Sequence, residues 1–275
     1  MNYMVPDYLV PYVLGGCLAV TTTLVYGLHR ALKLAGWPVR ERKQAVWSIG
    51  ALLVTWLFAA LSLSWFGFYG GEPNRIPTIQ YGVLIPIMVG IALAWRWGVL
   101  KRALEAVPAQ WIVSVQAYRA LGVIFLILYA AKYLPGEFAW PAGAGDVTVG
   151  ILAPAVGLAY ARDLRRAAAW VRIWNLLGMG DLIVAVTMGF LTSPSPLQRL
   201  AFGSPNELVS AFPLVMVPVF LVPLSVLLHL AALKKLRQTR SEPQVSRPAS
   251  PASGANEIKL GSSPALGVSG PGKLR

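Results

Sequence analysis

The chain has 275 residues, 56% of them hydrophobic and only 13% charged, with a formal net charge of +13 and a mean hydropathy of +0.59. That is more apolar surface than a water-soluble core of this size can hide, so a lipid bilayer is the expected cover. The positive charge does not point to nucleic acid, because it is dispersed among loops between apolar stretches instead of forming one folded basic surface.

Crossing about 30 Å of hydrocarbon takes about 20 mostly apolar residues. Seven stretches qualify: 8–28, 46–67, 79–95, 110–134, 141–160, 171–192 and 207–233. Lipid offers no partners for free N–H and C=O groups, and the stretches lack the two-residue alternation of barrel strands, so helices are expected. The predicted fold is therefore all-α: a seven-transmembrane-helix bundle over 1–237, followed by a disordered tail over 238–275. The tail is rich in Ser, Pro, Gly and Ala.

The first stretch is preceded by Asp7 but no basic residue, and no early small-residue cleavage site follows, so it reads as a retained helix and not a signal peptide. Its Cys17 is the single cysteine, which argues against disulfides, a zinc site or a cysteine-ligated cluster. Arg30, Lys33, Arg40, Arg42 and Lys43 follow it, whereas the next loop holds only Glu72 and Arg75. Pro86 interrupts the third stretch, which is followed by Arg96, Lys101 and Arg102. The alternation continues with Lys132 and Glu137, then Arg162, Arg165, Arg166 and Arg172, then Arg199 and Glu207, and finally Lys234, Lys235, Arg237 and Arg240. The positive-inside rule then predicts an outside N-terminus and a cytoplasmic C-terminus, with the basic loops facing anionic headgroups. Trp47, Trp95, Trp111, Tyr133, Trp140 and Trp170 fall near stretch ends, where interfacial aromatic belts lie.

Charges inside the fourth, fifth and sixth stretches are the main functional signal, because an unpaired charge in hydrocarbon costs several kcal/mol. At about 1.5 Å per residue, Arg119 stands about 12 Å above the cytoplasmic boundary counted from Trp111, and Asp181 about 16 Å above it counted from Trp170. These two are expected to meet. Asp146, about 9 Å below the outer boundary counted from Trp140, is expected to be less accessible to Arg119 and to continue a polar path outward. Gln116, Tyr118, Asn175 and Thr148 are the candidate hydrogen-bond partners. Both aspartates end a Gly-x-Gly-Asp motif, at Gly143 to Asp146 and Gly178 to Asp181. The glycines allow each carboxylate to sit at a close helix contact and not in lipid.

Pro213, Pro218 and Pro223 recur through the seventh stretch, where each removes a backbone donor and shapes or hinges the helix. His29 and His229 both count to the cytoplasmic boundary and read as interfacial side chains, with a bis-histidine haem or metal site as the sharper alternative. A retinal pigment would need a lysine inside the last helix, but Lys234 and Lys235 lie at its end. An intramembrane aspartyl protease would need paired carboxylates. Asp146 and Asp181 differ in predicted depth, and the Pro-Ala-Leu at Pro264 lies in the tail.

From Gln116 to Leu236 the chain resembles a group of uncharacterised bacterial multi-pass membrane proteins. The resemblance is carried by Gln116-x-Tyr118-Arg119, by Phe138-Ala139-x-Pro141-Ala142-Gly143-x-Gly145-Asp146, by Asn175-Leu176-Leu177-Gly178-x-Gly180-Asp181, and by Val222-Pro223-Leu224 with Leu228-His229-Leu230. It implies a bacterial inner-membrane location and assigns no catalytic or binding residue.

The sequence thus predicts a small permease-like or ligand-responsive membrane protein. Arg119, Asp146, Asp181, Gln116, Asn175 and Tyr118 would form a polar centre for a small solute, ion or proton. No cofactor is expected, and no nucleophile, metal-cluster or nucleotide motif marks an enzyme. The alternative is a structural or partner-binding subunit in which the ion pair only fixes helix packing. A cavity reaching the charged group favours the first; a dry contact favours the second.

Overall fold

The computed structural model describes residues 5–71 and 73–241. Glu72 and the predicted tail from residue 242 onward lie outside the described residues. The chain begins with α1 (Leu9–Leu34), α2 (Val39–Trp65) and α3 (Ile79–Arg96), followed by the short α4 (Gly98–Ala106). The fourth apolar stretch is composite: α5 (Ala109–Ser114), a 3-10 helix (Val115–Gly122) and α6 (Val123–Ala130). Then come α7 (Gly136–Arg162), α8 (Leu164–Thr192), a 3-10 turn (Leu208–Ser210), a π-helical turn (Val217–Leu221) and α9 (Val222–Ser241). Among the described residues there is no strand, and seven helical segments are long and apolar enough to cross a membrane.

The helix boundaries follow local chemistry. Pro38, Pro108 and Pro135 immediately precede α2, α5 and α7, where a fixed φ and a missing N–H do no harm. Gly36 and Gly67 close α1 and α2 with φ of +73° and +69°. There the N–H groups of Trp37 and Phe68 reach back to Leu32 and Leu63, and the left-handed residue between is one that glycine adopts without strain.

α7 packs along α8 and along all three segments of the fourth stretch. Its buried positions Ala139, Ala142, Asp146, Val149, Ala153 and Tyr160 follow a heptad seam. Beside that seam run Gly143, Gly150 and Gly157, a glycine at each heptad. A β-carbon on Gly143 would meet Leu126 at 2.8 Å, one on Gly150 would run into the Ala120 backbone N–H, and one on Gly157 would overlap Ser114. The fourth stretch therefore lies against α7 nearly backbone to backbone, as small residues allow.

Two expectations change here. The seventh stretch does not run as α-helix from 207: the π-helical turn starts at Val217 and regular α-helix only at Val222. Pro218 and Pro223 cannot donate to residues 214 and 219, and their rings press on those carbonyls, so the backbone widens into a π turn at this point. The last helix also continues to Ser241, past the expected start of the tail.

Outside this core, α2 and α3 are thinly covered. Trp47, Phe58, Trp65, Phe66, Met88 and Trp95 are all more exposed than buried. α4 packs Ala103 beneath Leu32, Ala45 and Ile49, while Arg102 lies 5.4 Å over the Trp37 ring and 3.7 Å from Glu41.

Candidate functional site

The 3-10 winding of Val115–Gly122 is what builds the site. Three residues per turn stack positions i and i+3 directly above one another, and the buried residues of this segment are Gln116, Arg119 and Gly122. That column faces α7. Gly122 has no side chain because the Asp146 side chain occupies the space where its β-carbon would stand.

Arg119 is 3% exposed, and each of its three guanidinium nitrogens donates to a protein acceptor. Nε donates to Asp146 Oδ1 at 2.8 Å, and Nη2 lies 2.8 Å from the same oxygen. Nη2 also donates to Asp181 Oδ2. Nη1 donates to the Gly178 carbonyl at 3.1 Å and to His229 Nε2 at 3.2 Å. A guanidinium only donates, so His229 Nε2 must accept, which places the ring proton on Nδ1. Nδ1 then donates to Asn175 Oδ1 at 2.9 Å, and Asn175 Nδ2 donates to the Val171 carbonyl at 2.8 Å. The result is a closed hydrogen-bond chain joining the 3-10 helix, α7, α8 and α9.

Glycines on both α7 and α8 make room for this chain. A β-carbon on Gly178 would collide with the His229 ring, and one on Gly145 with the Asp181 carboxylate. Gly180, the second glycine of the α8 motif, has nothing within 4 Å of that position. Trp174 closes the site, its ring centroid 5.0 Å from that of His229 and its indole N–H on the Val149 carbonyl at 3.0 Å.

The pairing of Arg119 with Asp181 is as expected, but the placement of Asp146 is corrected: expected to be less accessible to Arg119, it shares the guanidinium directly. A uniform rise of about 1.5 Å per residue is wrong across a 3-10 segment, which climbs about 2.0 Å per residue and lifts Arg119 toward Asp146. The depth argument against paired carboxylates falls with it, although Arg119 Nη2 now stands between the two. Asn175 joins through His229. Gln116 is fully buried, yet neither of its amide atoms has a partner among the described residues. Tyr118 turns away to Ser225 Oγ at 2.7 Å, and Thr148 is exposed and bonds back to the Ala144 carbonyl.

His229 is the residue that sequence reasoning misplaced. Counted to the cytoplasmic boundary as an interfacial side chain, it is fully buried, and both ring nitrogens have protein partners. The Leu228-His229-Leu230 pattern held a signal, since an imidazole between leucines in an apolar helix requires polar partners. Replacing His229 with phenylalanine is expected to strand Arg119 Nη1 and Asn175 Oδ1 at a cost of about 1–3 kcal/mol, read as a lowered unfolding temperature of the purified protein.

Two cavities meet at Asp146. The larger runs to Asp146 from the end formed by the α2–α3 and α8–α9 connections. Gly71, Pro77, Ser193 and Ser210 line its mouth. Asn206, fully buried, braces that rim by accepting from Val209 N–H at 3.3 Å and from Ser193 Oγ at 3.0 Å. The smaller cavity reaches Arg119 and Asp146 between α1, the 3-10 helix and α9.

Residues 76–237 match a family described as a domain of unknown function (DUF8737), and the chain belongs to that family. No curated protein and no solved structure matches it. The matched stretch contains the whole polar chain from Gln116 to His229, while α1 and α2 precede it.

Proposed function

We propose that this member of the DUF8737 family is a seven-helix protein of the bacterial inner membrane whose Arg119–Asp146–Asp181 centre exchanges a proton or small cation, in the manner of a small permease or ligand-responsive protein. The exposed faces of α2 and α3 support membrane insertion, since apolar patches of that extent need lipid cover. The alternating basic loops support a cytoplasmic C-terminus.

The observation that carries the functional reading is a charge count. Two carboxylates converge on one guanidinium, so with both ionised the buried centre holds one uncompensated negative charge. Such a charge is costly at this depth unless a proton or cation joins it. Among the described residues, Asp146 Oδ2 and Asp181 Oδ1 have no hydrogen-bond donor, and each offers a place for that extra charge. The cavities give a route to Asp146.

A purely structural ion pair has one observation in its favour, the use of all three Arg119 guanidinium nitrogens as donors. Infrared difference spectroscopy across a pH titration separates the readings. The wild-type protein is expected to show one reversible carboxylic-acid band, absent from both Asp146→Asn and Asp181→Asn. Each variant leaves one carboxylate for one guanidinium, and is expected to keep its folded yield and unfold within about 1 kcal/mol of wild type. A spectrum that neither substitution alters would leave the structural reading.

A further inference from the structure

The larger cavity has a composition that its position at the polar centre does not require. Tyr69, Phe125, Phe138, Leu182, Phe190 and Val222 supply its walls, and none of its lining residues is lysine, arginine or histidine. Its inner end is Asp146, nine-tenths buried, with Oδ2 unpartnered. An apolar passage closed by one carboxylate is selective by exclusion. A polyhydroxylated solute or hydrated metal ion would lose most of its water partners, since apart from Asp146 only Tyr69, Ser193 and Ser210 bring polar side chains to the lining. An anion would add like charge to a centre already in excess of negative charge. A phosphorylated headgroup would find no cation on the walls. A neutral alcohol would leave the excess charge uncompensated.

We propose that this cavity is a binding site for an organic monocation with an apolar body, such as an alkylammonium, its head on Asp146 Oδ2 and its body between the aromatic walls. The ligand takes the place that the exchangeable proton otherwise holds, so this assignment rests on the charge-exchange reading above and names its substrate class. Only a molecule combining one positive charge with an apolar body answers both the walls and the floor. Pockets of this kind, apolar with few convergent polar groups, are the usual form of small-molecule sites.

The test is equilibrium binding of radiolabelled octylammonium to the full-length protein in phosphatidylcholine nanodiscs, with octanol and octanoate as competitors. Saturable binding is expected, with octanol competing at least about tenfold more weakly and octanoate not at all. Asp146→Asn is expected to lower affinity at least about tenfold. Gly189→Phe supplies an independent variant: Gly189 lines the cavity outside the polar centre, and its nearest neighbour to an added β-carbon is Phe138 at 3.8 Å. A ring there should fill the passage and abolish binding while leaving the infrared carboxyl band in place. Equal competition by octanol, or unchanged binding by either variant, overturns the assignment. So does loss of octylammonium binding on changing the nanodisc lipid to phosphatidylethanolamine, which would give the cavity to a lipid headgroup. Absence of octylammonium binding with the carboxyl band present rejects the ligand class alone; absence of both rejects the exchange centre as well.

Discussion

Replacing Arg119 with methionine is expected to destabilise the protein by about 3–5 kcal/mol, the usual cost of removing one partner from a buried ion pair. The loss goes beyond one contact. Asp146 and Asp181 would face one another with no cation between them, and the Gly178 carbonyl and His229 Nε2 would lose their donor. Methionine fills much of the volume, so the effect reports charge and hydrogen bonding more than cavity formation. The diagnostic comparison is the triple variant Arg119→Met, Asp146→Asn, Asp181→Asn, which removes the charges together. Its unfolding temperature and folded yield should recover most of the loss. A single Arg119→Met variant as stable as wild type would show that the guanidinium does not hold the centre.

The second large effect is expected at Gly150. A β-carbon there would meet the Ala120 backbone nitrogen and would lie 2.9 Å from the Arg119 carbonyl carbon. These are main-chain atoms, and no rotamer change relieves the clash. Gly150→Ala should therefore push α7 from the 3-10 helix and cost about 1–3 kcal/mol as an overpacking strain. It should also weaken the Arg119–Asp146 bond, so the infrared carboxyl band should shift along with the melting temperature. Gly180→Ala is the control: with open space at its β-carbon, it should be neutral or stabilise by up to about 1 kcal/mol through helix propensity. Equal behaviour of the two variants would refute close backbone packing along α7.

Much of this arrangement is legible in the sequence, and for identifiable reasons. Apolar runs of spanning length locate seven long helices because hydrocarbon thickness sets a minimum length. Arg119 and Asp181 are found as partners because ionisable residues within such runs must pair. The glycines at 143, 150 and 157 stand in plain view, but their common face becomes visible only once α7 is known to run unbroken past Pro141 and Pro154. Asp146 and His229 are misjudged for one shared reason. Depth counting treats every residue as an equal helical step from an assumed boundary, an aromatic for Asp146 and the stretch end for His229, and it ignores changes of winding and the reach of an arginine side chain. The π turn at Val217 is likewise implied by its prolines without being fixed by them, since a kink, a break and a widened turn all answer a missing N–H.

The 3-10 helix gives the bundle a property that a straight α-helical span would lack. If Val115–Gly122, eight residues long, were rewound as α-helix, the span would shorten by about 4 Å, and Gln116, Arg119 and Gly122 would each turn about 60° from the one before, about 120° from first to last. Only the 3-10 winding keeps Gln116, Arg119 and Gly122 on a single face. A pair of spin labels at Ser114 and Val123 would tell the two windings apart directly, as a difference in separation of about 4 Å.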